Sequence, residues 1–463
     1  EANISIGAYT NHTVSTGKRN VSVGGSAGYA METGTDNTLL GNNAGYNVKH
    51  AVGATIVGGY AGRYASGSYN TFIGYNAGDG ATTSAPFSSG ENNVAIGDRA
   101  MRVFTTGHSN AIVGNQAGYN INSGHENTIM GYQAAYNLTT ADNNVIIGYQ
   151  TGYNLTTSRY NVLIGDQAGY NLVESSTNND NVMIGNSAGY AGDNNWPQAT
   201  DNVYVGRSAG RNLDDGYGNV IIGKEAGLSD SGGGNATNYS VFIGHKAAYV
   251  TTDTYRSIVI GNEAGYSMTI GSESVIIGDQ AGYDLTTTTK TVLIGKSAGA
   301  NINTTGADGT VAIGYNAGNA LTSAAGLTAV GYNAAKSMVD GHSNTAFGYA
   351  ALANEVASDE STAIGYQALN AQSGSTSTLG NTAVGHYAGK ATTTADRNTY
   401  VGKSAALSVT TGRQNTAIGW NAIQSVTTGT SNTAVGAILS DFKTLGLVRV
   451  RTFDGLSLKA CLN

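Results

Sequence analysis

Along this chain, apolar residues come in short bursts that end on a glycine. The residue before that glycine is Ile or Val in 22 copies, and the residue three before it is β-branched in all but Ala111. The residue four before is Asn in 17 copies and Ser or Thr in six more, and the residue three after is Ala in 22. The glycine recurs from Gly7 to Gly436 in 25 copies, and 17 of the 24 spacings equal 17 residues. Clean copies are residues 127–134, 144–152, 161–169 and 415–422.

The positions one and three before the glycine share a face of an extended chain, so each copy supplies one short strand with an apolar side. One isolated strand cannot bury that side alone, so stacked repeats must supply the core. Seventeen residues at about 3.3 Å each make a closed coil of roughly 55 Å contour, enough for two short strands and two turns. Successive coils then pair as parallel strands about 4.8 Å apart. The expected fold is all-β: a parallel β-solenoid, or β-roll, of about 25 coils over residues 1–439, roughly 115–120 Å long. Residues 440–463 break the pattern and form a separate apolar tail.

Each column has an expected task. The Asn four before the glycine suits an amide ladder at a coil corner, bonded to the coils above and below. The glycine itself takes a conformation closed to other residues, or lets two backbones approach. Val, Ile and Ala positions alone make a thin core, from which a second apolar face shared between chains is inferred. Tyr stands five after the glycine from Tyr29 to Tyr283, and one after it at Tyr75, Tyr132, Tyr149, Tyr315, Tyr332, Tyr349 and Tyr366; both columns are expected to stack.

Composition narrows the function. The 463 residues include 67 Gly and 2 Pro, and 11% are charged against roughly 25% in an average globular protein. High Gly without a three-residue period excludes collagen. The net charge of −7 argues against a nucleic-acid partner, and no apolar run approaches the roughly 18 residues that cross a bilayer. Cys461 is the single cysteine. No nucleophile–base constellation, regular carboxylate array or phosphate-binding loop stands out, so no enzyme activity and no cofactor are expected.

The N-[TSV]-[VA]-[IV]-G core with a small residue three later resembles the head repeat of trimeric autotransporter adhesins. The form seen at residues 381–388 looks like repeats of bacteriophage tail-fibre shafts. The resemblance covers residues 3 to about 439. It implies a left-handed β-roll, a homotrimer with three chains side by side, and a non-enzymatic fibre used for attachment, placed extracellularly, on a cell surface or on a virion. The 17-residue unit is longer than the adhesin repeat, and neither a coiled-coil stalk nor a membrane anchor follows. The expectation therefore leans to a fibre or filament, with an adhesin head as the alternative. From another class, an ice-binding solenoid needs Thr at i and i+2 on one flat face, whereas adjacent Thr pairs here point apart. A polysaccharide lyase would need a charged catalytic cluster.

Insertions at residues 79–91, 171–180, 192–201 and 229–239 mark loops, where Phe87 and Trp196 are candidate glycan contacts, each equally a candidate loop anchor. Sequons make Asn137, Asn154, Asn235, Asn238 and Asn303 candidate glycosylation sites, although Asn and Thr richness alone produces such triplets. His108 and His125 fall in one column of adjacent coils, a weak metal candidate against ordinary solvated turn residues. In the tail, Leu447, Val448, Val450, Phe453, Leu456 and Leu458 are candidate assembly residues. They read as a hairpin around Asp454-Gly455 that either docks on the bare first coil of the next molecule or caps its own.

Overall fold

The computed structural model describes residues 2–81, 87–172, 180–191, 199–213, 216–229, 237–374 and 378–437, together with the backbone of 449–451 and 457–459. The chain forms two compact units, Glu1–Tyr239 and Ser240–Asn463, and each is a parallel β-solenoid. The first holds thirteen three-residue strands, from Ile4–Ile6 to Val220–Ile222. The second holds twelve, from Val241–Ile243 to Thr433–Val435, followed by a hairpin. Neighbouring coils pair in register, as in Val145↔Val162, Ile146↔Leu163 and Ile147↔Ile164. Among the described residues the only helical segment is a 3-10 turn, Thr305–Ala307.

A coil holds one strand, not the two for which its contour has room, because four of its residues take positive φ. In one representative coil these are Asn143 (φ 59°), Gly148 (137°), Gln150 (49°) and Gly152 (57°). Each such residue turns the chain out of the extended region. A trace of a second strand survives six residues before the glycine, as isolated parallel bridges Lys18↔Thr35, Thr35↔Val52 and Thr200↔Tyr217. The turns are zipped coil to coil as well: Gln150 N–H donates to Tyr132 O (2.9 Å) and Gly152 N–H to Ala168 O (2.9 Å), so the turn backbone does not go unpaired.

The repeated glycine sits at φ between 127° and 142° in every coil, a region essentially closed to side chains. It also lies against the next coil. A Cβ on Gly185 would stand 2.5 Å from the carbonyl oxygen of Gly206, and one on Gly41 the same distance from that of Gly58.

From Val21–Val23 onward the middle residue of each coil strand is buried and its neighbours look outward. Ile146, Leu163, Ile221, Phe242 and Leu293 are fully buried. The Ile or Val before the glycine thus lies on the outer face rather than in the coil's own core, which corrects the sequence reading of the strand's apolar side. The inward position was hard to recognise because its size varies from Ala to Tyr. In several coils that variation is compensated six residues later. Ala95, Ala346, Ala363 and Ala417 are matched by buried Met101, Leu352, Leu369 and Ile423, whereas Phe72, Met183 and Tyr204 are matched by Gly78, Gly189 and Gly210. A Cβ on Gly78 would stand 2.6 Å from the Phe72 ring, so the two positions share one volume.

The buried Asn column behaves as expected of an amide ladder. Asn144 Nδ2 donates to Asn127 Oδ1 (3.0 Å) and to Ser158 O (2.9 Å), while the Asn144 backbone N–H donates to the same Asn127 Oδ1 (3.1 Å). Where Ser361 interrupts the column, Gln372 fills the gap. Its Nε2 donates to Ser361 Oγ (2.9 Å), and its Oε1 accepts from Asn381 Nδ2 (3.1 Å).

In the tail, Arg449–Arg451 pairs in parallel with Ala434 and Val435 of the last coil, and Ser457–Lys459 returns antiparallel with Val450 opposite Leu458. This pairing differs by one residue from that of a two-residue Asp454-Gly455 turn, and it puts two apolar positions opposite each other. Residues Leu447, Val448, Phe453 and Leu456 lie outside the described residues.

Two stability tests follow from this packing, both read by urea unfolding of the full chain. Gly185→Ala should cost about 3 kcal/mol or more, from backbone strain plus the carbonyl clash. Gly326→Asn, at φ 70° with its nearest neighbour 3.8 Å away, should cost within about 1 kcal/mol. Leu369→Gly should lose about 2–5 kcal/mol through its cavity, and adding Ala363→Leu should restore most of it. A double variant no better than the single would refute the shared volume.

Candidate functional site

With the core closed inside each coil, chemistry is left to the columns that stacking displays outside. The outer strand face is an apolar stripe. Met130 is 47% exposed, Ile258 40%, Phe347 52%, Ile418 39% and Val435 46%, and among the described coil strands none carries a charged residue. Next to it, one residue after the glycine, Tyr315, Tyr332, Tyr349, Tyr366 and His386 stack at centroid distances of 5.0–5.1 Å. Side chains of this kind are normally covered in an assembly.

A second aromatic column lies five residues after the glycine. Tyr119, Tyr136, Tyr153, Tyr170 and Tyr190 stack at 4.8–5.5 Å with near-parallel planes. Cations close its ends: the Arg102 guanidinium lies 5.6 Å from the Tyr119 centroid and that of Arg211 5.4 Å from Tyr190. In the second unit Tyr249, Tyr266 and Tyr283 repeat the arrangement, with Lys246 over Tyr249. Partial burial, and then the neighbouring phenols, raise the pKa of Tyr136, Tyr153 and Tyr170 above the ordinary tyrosine value.

Two surface amide ladders flank these rings. Gln133 Nε2 donates to Gln116 Oε1 (2.8 Å) and Gln150 Nε2 to Gln133 Oε1 (2.9 Å). Asn120, Asn137, Asn154 and Asn171 are linked through Nδ2–H to Oδ1 bonds of 3.2, 3.0 and 2.7 Å. Between the second ladder and the Thr139–Thr156 column runs an open groove of about 670 Å³, with Val103 in its wall. Both ladders are visible in the sequence as Gln and Asn at 17-residue intervals, residues that carry no catalytic signature.

The candidate residues from the sequence do not converge on one site. The Phe87 ring is half-buried and stacks on Tyr64, 6.3 Å away and tilted by 17°. Asn137 and Asn154 spend one amide N–H each in their ladder. Asn238 is buried, with its Oδ1 accepting from Tyr217 N–H (3.0 Å), and Asn303 is exposed. Trp196 and Asn235 lie outside the described residues. His108 and His125 stack at 4.7 Å instead of converging their nitrogens, and His125 Nδ1 lies 2.8 Å from Asp142 Oδ1. Among the described residues no three His, Cys, Asp or Glu form a metal cluster.

Compared with known proteins, the chain matches no family model and no curated sequence.

The raised tyrosine pKa values make a pH prediction. A phenol whose folded pKa lies above its unfolded value near 10 contributes stability that is fully present below about pH 10 and is lost as pH climbs through the raised value. Phenolate absorbance should therefore show a late-ionising class of tyrosines, followed by loss of the β signal in circular dichroism. A single titration centred near 10 would contradict the stacked, part-buried column.

Proposed function

We propose that this protein is a non-enzymatic structural fibre whose chains associate side by side through the outer apolar stripe, as a homotrimer. The supporting observation is the stripe itself: mostly Ile, Val and Thr side chains, with Ala111, Leu40, Met130 and Phe347 at single coils, uncharged and with the period of the solenoid. A partner that covers it coil by coil needs the same period, and a second copy of this chain has it. The resemblance to adhesin heads and tail-fibre shafts adds the three-fold stoichiometry and the left-handed winding, and it favours an extracellular or virion location with a role in attachment. Thr residues on the outer strand face form one column and are paired with Val, Ile or Phe at the next outward position, as in Thr345–Phe347 and Thr382–Val384. This favours chain association over an ice-binding array.

Light scattering coupled to gel filtration tests the reading. The wild-type chain should run at three times 47.1 kDa. Ile147→Lys combined with Ile164→Lys, which places two like charges on adjacent outward rungs, should shift it toward monomer with its β circular dichroism intact. A wild-type monomer would remove the proposal.

A further inference from the structure

We propose that the groove beside the Asn120–Asn137–Asn154 ladder binds a neutral, extended, β-linked polysaccharide lying along the stacking direction of the coils. Three observations support it. First, the wall is uncharged, consisting of Ala, Val, Asn and Thr side chains, so an acidic glycan or a charged peptide finds no counter-ion there. Second, the polar groups are only partly spent. A primary amide offers two N–H donors and two oxygen lone pairs. Asn137 uses one donor toward Asn154 and one acceptor from Asn120, and Asn154 uses one of each toward Asn171 and Asn137. Each rung keeps a donor and an acceptor for a sugar hydroxyl. Thr139 Oγ1 donates to Thr156 O (3.0 Å) and keeps its lone pairs.

Third, the spacing selects the ligand. The rungs beside this groove repeat with the Tyr119, Tyr136 and Tyr153 rings at 4.8 and 5.2 Å, close to the length of one hexopyranose in an extended β-linked chain. Sugars alternate in face along an extended β-linked chain, so its two-sugar repeat spans two rungs and every second sugar meets every second rung in the same orientation. An extended peptide repeats its side-chain pattern every two residues, about 6.6 Å, and falls out of step within two coils. Val103 and the threonine methyls supply the apolar contacts that sugar C–H faces need. The groove residues lie roughly half a coil along the chain from the apolar stripe and share none of its side chains.

Calorimetric titration of the full chain with cellohexaose and with chitohexaose tests the proposal. One of the two should bind, its affinity should exceed that of the matching disaccharide by at least about tenfold, and binding should be insensitive to salt. Thr139→Arg narrows the groove from a half-buried wall position. It should lower the affinity at least about tenfold with the β circular dichroism intact, and Thr139→Ser, which keeps the hydroxyl, should bind as wild type. The proposal is overturned if neither hexasaccharide binds, if affinity does not rise with chain length, or if a heparin hexasaccharide or an extended oligothreonine peptide binds more tightly.

Discussion

The contact on which the fold depends is the approach of each repeated glycine to the carbonyl of the corresponding glycine one coil later. Nothing larger than hydrogen fits between Gly185 and the Gly206 oxygen, and the same backbone angle recurs at every coil. That angle ends the strand after three residues and starts the turn that closes the coil, while the close approach holds adjacent coils at strand spacing. Register follows from it, since a slip by one residue would bring a side chain to the contact.

Around this constraint each unit keeps a core only one coil thick, maintained by two devices. In several coils volume is exchanged between the inward strand residue and the position six later, so Ala363 with Leu369 and Phe72 with Gly78 are alternative ways of filling the same space. Polarity is satisfied by the buried Asn ladder, which spends both amide functions inside the coil stack. Where Ser361 replaces an amide, Gln372 takes the bonds left over, and from Ser240 to Thr310 hydroxyls carry the column instead, as Ser257 Oγ does by donating to Gly271 O (2.6 Å). Methionine, leucine and isoleucine at positive φ, as at Met101, Leu369 and Ile423, show the backbone accepting strain where packing needs the volume.

Much of this was legible in the sequence because identical neighbours are one repeat apart. The period, the strand positions, the glycine column, the Asn ladder and both tyrosine stacks could be read from spacing alone. The inside and outside of the strand could not. Hydrophobicity at the residues before the glycine pointed to a core, yet Ile147 and Ile164 look outward and the variable Ile146 and Leu163 look in. Periodicity identifies which residues share a face, not which way that face points when both are apolar. The second strand was lost for a different reason. Contour length permits it, but left-handed residues such as Gln150 and Glu126 carry no strong sequence signature. The groove eluded motif reading because none of its residues is reactive; its character comes from repetition.

In-register stacking also sets an electrostatic rule for how such a molecule can lengthen. A residue copied to the same column of the next coil meets itself at about 5 Å. Neutral Tyr, Asn and Gln gain from that meeting, whereas a charged residue would repel its duplicate. Charges accordingly occur with opposite partners across the coil step, as Arg19 with Asp36, Lys296 with Asp279 and Arg413 with Asp396. Growth by tandem duplication of one coil is therefore open to uncharged repeats and closed to ionic ones until a compensating mutation arrives, which leaves a long descendant poor in charge for reasons of ancestry as much as of solubility.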